Sequence, residues 1–107
     1  MARIDKFYVE QLSHFLTSLE QKTDTDGNSL LYNSMIVHGS GHADGNWHTH
    51  SNLPVLLAGK GGGTIDSGRL VDHDSKPLSN LFLSIADRMG ATAIESFGDS
   101  TGRLGDV

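Results

Sequence analysis

The chain has 107 residues, of which 36% are hydrophobic, a length that suits one small domain. That apolar share falls below the ~45–50% of an average globular domain, and a chain this short buries only about 60–70% of its unfolded surface, so the core must lean on more chain or on a partner. A net charge of −5 with eight Lys and Arg scattered singly excludes the basic patch of a nucleic-acid binder, and no apolar run approaches the ~20 residues of a membrane span.

Ile4, Phe7, Tyr8, Leu12, Phe15, Leu16 and Leu19 recur at helical spacing, while Arg3, Asp5, Lys6, Glu10, Ser13, Ser18 and Gln21 fill the other face. This predicts an amphipathic helix from Ile4 to Gln21. Met1 and Ala2 offer it no strong N-cap, as in a chain cut just before a helix. Met1 to Lys6 also lacks the apolar stretch of a signal peptide.

Thr23 to Asn28, centred on Asp26-Gly27, predicts a turn. Met35-Ile36-Val37 predicts a short buried strand ending near His38 or Gly39. Gly39 to Asn52 has no periodicity and reads as a loop. Leu53 to Ala58 predicts a second buried strand, with Pro54 tolerated near its start. Gly59 to Gly63 reads as a flexible turn, and Arg69-Leu70-Val71 as a short edge strand. Pro77 suits the first turn of a helix carrying Leu78, Leu81, Phe82, Ile85 and Met89, with Gly90 as its stop. Ala91 to Val107 reads as an irregular tail with Phe97 as its isolated anchor.

The order is helix, strand, loop, strand, Gly turn, helix and tail. Two strands are too few for an open α/β sheet. Residues 1–107 are therefore expected to form a single partial α/β domain.

The chemistry-bearing stretch runs from His38 to His50. It holds four of the six histidines and one carboxylate, Asp44. The chain has no Cys, so thiolate ligation is excluded and imidazole and carboxylate remain as metal ligands. His48 and His50 share a side in an extended segment. Gly45 and Asn46 let the chain fold back, bringing Asp44 toward them. Asp44, His48 and His50 thus form a partial ligand set, with His42 and His38 weaker candidates. The plainer reading is a hydrogen-bonded loop in which Asp44-Gly45-Asn46 is turn chemistry and Trp47 covers the loop or lines a pocket.

Other segments read as structural. Gly59 to Gly63 matches no phosphate-binding pattern, and no Gly-x-Ser-x-Gly elbow is present. Asp72, His73 and Asp74 read as a surface turn, and Gly98-Asp99-Ser100 as part of the tail.

Five blocks carry a family likeness. They are Tyr8-Val9-Glu10-Gln11, Asp44-Gly45-Asn46-Trp47-His48, Asn52 to Gly59 with Gly61-Gly62-Gly63, Pro77-Leu78-Ser79-Asn80-Leu81, and Phe97 to Gly102. In this order they resemble the C-terminal part of the bacterial family called domain of unknown function 1552. That family is in turn similar to the alkaline phosphatase and sulfatase superfamily. The resemblance implies the C-terminal fragment of an α/β sandwich with a mostly parallel central sheet. It implies a divalent metal (zinc, calcium, manganese or magnesium) held by Asp44 and His48, with His50 a further ligand or the proton donor to the leaving group. The implied substrates are small phosphate or sulfate esters, attacked by a nucleophile supplied upstream. The implied partner is the remainder of a longer chain, and the implied location periplasmic or secreted. The superfamily's usual Asp-His pair followed by Gly is absent here. On this likeness the expected function is a metal-dependent ester hydrolase, inactive as this stretch alone. The alternatives are a non-catalytic binding or structural protein with a degenerate fold of the same kind, and a fragment with no independent function.

Overall fold

The apolar stripe from Ile4 to Leu19 does form a helix, α1, over Ala2–Glu20. The structure, a computed structural model, describes residues 2–107. The stripe finds no second layer. No residue of α1 is buried, and Ile4, Phe7, Tyr8 and Phe15 are each about half exposed.

The last carbonyls of a helix have no partner within it. Here Thr17 accepts from the Gln21 amide, and Leu19 accepts from the amides of Lys22 and Leu31. The chain returns through a tight reversal in which the Asp24 amide donates to the Asn28 carbonyl (2.7 Å). Gly27 sits at φ +88° in this turn, a conformation that glycine adopts without Cβ strain. The Asn33 side-chain amide donates to the carboxylates of Asp24 and Asp26 (2.8 and 2.9 Å). The bond from Asn33 chiefly holds the Asp24 carboxyl below its ordinary value, and bonds from Asn28 do the same for Asp26.

Two short strands follow, β1 over Ile36–Gly39 and β2 over Val55–Ala58. They pair antiparallel, with Ile36 opposite Ala58 and Gly39 opposite Val55. The fold is therefore mixed α/β with a two-stranded antiparallel sheet. The connection between them, residues 40–54, contains no helix to carry the chain back along the sheet, which a parallel pair requires. Nor are the strands buried. Val37 and Leu56, on opposite faces of the pair, both stay exposed, because no layer covers either face. Arg69 to Val71 forms no strand, and Leu70 is fully exposed.

The Gly59–Gly63 run is a structural joint. Amides of Lys60, Gly61 and Gly62 donate to the carbonyls of Leu31, Ser34 and Tyr32 (3.4, 3.0 and 2.9 Å), tying the end of β2 to the segment before β1. Gly59 has φ +93°, and a Cβ there would stand 2.1 Å from the Ser34 carbonyl oxygen. These amides are spent on the chain itself, so the run is no phosphate cradle.

Helix α2 spans Leu78–Arg88, with Pro77 before it. It ends as the sequence predicts. The Gly90 amide donates to the Asp87 carbonyl and the Ala91 amide to the Ala86 carbonyl, with Gly90 at φ +86°, the double bond of a glycine-terminated helix. The buried side of α2 is partly polar. Ser79, Asn80 and Ser84 are buried beside Leu81 and Leu83, whereas Phe82 and Met89 remain exposed.

The tail explains this. Residues 91–107 have no regular secondary structure, yet they lie against α2 and satisfy its polar groups. Asn80 exchanges two bonds with Thr101, its Nδ2 donating to Oγ1 (3.1 Å) and its Oδ1 accepting from the Thr101 amide (2.9 Å). Ser84 Oγ accepts from the Leu104 amide (2.8 Å) and lies 3.0 Å from the Leu104 carbonyl oxygen. Ser79 donates to Asp99 (2.6 Å). Leu104, 5% exposed, joins Ile65, Leu81 and Leu83 as the apolar core. At the rim Arg103 forks onto the Asp87 carboxylate, and Phe97 meets Phe82 edge-on.

The whole is flat and open, 46 × 39 × 20 Å with a radius of gyration of 15.2 Å, against about 13 Å for a compact chain of this length. Its accessible surface of 7687 Å² for a mass of 11.5 kDa likewise exceeds the roughly 5,800 Å² of a compact protein of that mass.

Ser84→Ala removes a buried hydroxyl and strands the Leu104 amide. The expected loss is about 1–3 kcal/mol, read from the midpoint of denaturant unfolding; an unchanged midpoint would contradict the role given to this serine. Acid acts on the Arg103–Asp87 pair. Its hydrogen bond from Arg103 lowers the Asp87 carboxyl in the folded state below 3.8. The pair's contribution is complete above that value and is lost as the pH falls through the lowered folded one. Thermal midpoints recorded on acidification should therefore decline, and decline less steeply in Arg103→Gln.

Candidate functional site

The loop between β1 and β2 carries Asp44, His48 and His50, and its local sequence explains its shape. A carboxylate followed by Gly-Asn can bond forward to its own backbone. Asp44 Oδ1 accepts from the amides of Asn46 (2.8 Å) and Trp47 (2.7 Å). This closes a turn whose two sides then pair. The Ala43 amide donates to the Thr49 carbonyl (2.8 Å), the Asp44 amide to Thr49 Oγ1 (3.2 Å), and Asp44 and Thr49 form an isolated antiparallel bridge. His48 sits at φ +52°, the left-handed region that few non-glycine residues occupy.

Closing the turn gathers three imidazoles. The His42 and His48 rings stack, with centres 4.8 Å apart and planes 17° from parallel. The His42 and His50 rings are also 4.8 Å apart, tilted by 47°. His50 Nδ1 lies 2.7 Å from the Gly41 carbonyl oxygen. In a neutral ring that acceptor places the proton on Nδ1 and leaves the Nε2 lone pair free.

The structure thus brings His48 and His50 together through a residue that ranked below them, His42. The signal for His42 was the turn itself. Once Asp44 pairs with Thr49, the two sides of the loop are held close enough for the His42 ring to meet those of His48 and His50. His38 stays in β1, opposite Leu56. Asp44 is committed through one oxygen to the turn. Residues 40–52 are all exposed and Trp47 is 79% exposed, so no cavity wall surrounds these groups. A shallow apolar groove of about 510 Å³ lies instead along α1, among Val9, Leu12, Leu16 and Leu31. Among the described residues no three His, Asp or Glu groups converge on a metal position as they stand.

The remaining polar segments are occupied. Asp72 Oδ1 accepts from the Asp74 amide (3.0 Å), and His73 lies 3.6 Å from the Asp106 carboxylate. Ser100 Oγ accepts from the Phe97 amide (2.9 Å).

Fold and loop together define a mixed α/β chain bearing an exposed histidine cluster. Comparison with protein-family models, curated proteins and solved structures found no match.

If Asp44 holds the turn, Asp44→Ala should speed amide exchange at Asn46 and Trp47 by roughly tenfold or more, as expected when a bond worth about 1.5 kcal/mol is lost. Asp44→Asn, which keeps an oxygen acceptor, should leave both amides protected. Equal exchange in the two variants would contradict this account.

Proposed function

We propose that the Gly41–His50 loop contributes divalent-metal ligands to a metal-dependent hydrolase of phosphate or sulfate esters. The observation that carries the reading is the gathering of three imidazoles beside a carboxylate, with one ring already oriented by a backbone carbonyl. A metal-bound histidine commonly donates its second ring nitrogen in this way, which fixes the tautomer and makes the ligating nitrogen more basic. The donor set fits a divalent ion, with His48, His50 and the remaining oxygen of Asp44 among its ligands. Held there, such an ion would supply Lewis-acid polarisation of an ester oxygen. The chain's own part is to present these groups on a turn anchored to β1 and β2. His50, if not a ligand, would donate a proton to the leaving group.

The block-by-block resemblance to domain of unknown function 1552 supports the same chemistry and a periplasmic or secreted location. On this reading the nucleophile and the covering layers, including one over α1, belong to further protein. A zinc, manganese, magnesium or calcium ion would serve the polarising role.

A second reading has its own observation. Asp44 Oδ1 and His50 Nδ1 both bond the loop's backbone, which suits a non-catalytic binding or structural role.

The test is hydrolysis of aryl phosphates and aryl sulfates by a longer protein containing this chain. Activity should vanish with a chelator, return with a divalent metal, and fall at least roughly 100-fold in His48→Ala. Turnover that withstands the chelator, or that His48→Ala leaves intact, would refute the hydrolase. The 107-residue chain alone should show no turnover.

A further inference from the structure

The loop's ring geometry bears on which groups bind and which ion they select. Imidazoles bound to one tetrahedral ion at about 2.0–2.1 Å have ring centres roughly 5 Å apart. His42 stands 4.8 Å from both His48 and His50, so two of the three ring spacings that a shared ion needs are already present. What is missing is the aim of the nitrogens, since His42 and His48 now lie face to face. Turning an exposed imidazole about its ring bond crosses a broad, shallow torsional surface. All three side chains are exposed, and no packed neighbour must be displaced.

Asp44 is placed differently. Its Oδ1 receives two backbone amides at 2.7–2.8 Å, and those bonds close the turn that brings the rings together. Drawing the carboxylate toward an ion would loosen the cluster it supports.

We infer that His42, His48 and His50 form a three-imidazole site for a transition ion of the zinc, cobalt, nickel or copper class, with Asp44 shaping the loop rather than ligating. This rests on the metal-binding half of the proposed function and narrows it, putting His42 in place of Asp44 among the ligands and leaving out magnesium and calcium. Imidazole sets favour these ions, whereas magnesium and calcium favour oxygen ligands. His50 binds through Nε2, because Nδ1 is held by the Gly41 carbonyl. His42, absent from the ligand set that sequence spacing offers, is the central member.

Trp47 makes the site readable. It is the only tryptophan in the chain and adjoins His48, so its emission reports on this loop alone. The experiment titrates the 107-residue chain, prepared without a polyhistidine tag, with cobalt(II). Trp47 quenching and the visible absorption of the bound ion are followed together. One ion per chain is expected, giving the intense absorption of low-coordinate cobalt, displaced by zinc and not by millimolar magnesium or calcium. Affinity should fall roughly tenfold or more in His42→Gln and in His50→Gln. It should change by less than about threefold in Asp44→Asn, which keeps the turn, and in the distant control His14→Gln.

Wild-type affinity in His42→Gln, or no stoichiometric binding, overturns the site. A tenfold loss in Asp44→Asn overturns the ligand assignment in favour of a carboxylate-containing set. The hydrolase reading fails separately. Cobalt bound as described with no ester turnover in the longer protein refutes the hydrolase and leaves the site standing. Turnover that survives loss of the ion in His42→Gln refutes the site and leaves the hydrolase.

Discussion

The hydrogen bonds between the C-terminal tail and the polar side of α2 hold the best-buried part of this molecule together. Ser84 lies 1% exposed and Asn80 2%, and an unpaired polar group at that depth costs on the order of 1–3 kcal/mol. Both are satisfied by Thr101 and Leu104 of a segment with no regular structure. The arrangement is mutual. The tail's amides have no helix or ladder of their own, and the helix side chains give them partners. Leu104 is thereby delivered into the small apolar cluster of Ile65, Leu81 and Leu83.

The same economy of backbone bonding runs through the other half. Carbonyls of Leu31, Tyr32 and Ser34 receive the amides of residues 60–62, so the glycine run locks the end of β2 to the approach to β1. The base of the histidine loop is thus fixed by main-chain bonds, while its tip is shaped by one carboxylate. A rigid base and an exposed tip are what a ligand-presenting loop requires. The absence of a covering layer also accounts for the half-exposed strands and for the bare stripe of α1. Both present apolar surface of the kind that further protein would cover.

Much of the local structure was legible in the residues. The period of Ile4 to Leu19 placed α1 to within two residues at its start and one at its end. Pro77 and Gly90 bracketed α2, and the short β-branched and apolar runs marked both strands. These signals are local, set by backbone sterics and side-chain period. The direction of strand pairing was not legible, because a run of four apolar residues reads the same in a parallel or an antiparallel sheet. The buried side of α2 was legible only in part, through Leu81. Phe82 and Met89 continue the apolar spacing, but the tail bonds to the side carrying Asn80 and Ser84, and bonded polar groups bury readily.

The candidate site divides along the same line. By itself the sequence determined that imidazoles and one carboxylate share a loop between two strands, that no thiolate takes part, and that Asp44-Gly45-Asn46 turns the chain. Tertiary structure alone decided that the His42 ring meets both His48 and His50. Composition and spacing are properties of neighbours along the chain. Which rings meet across a loop depends on the pairing of Asp44 with Thr49, and that pairing exists only once the chain has folded back on itself.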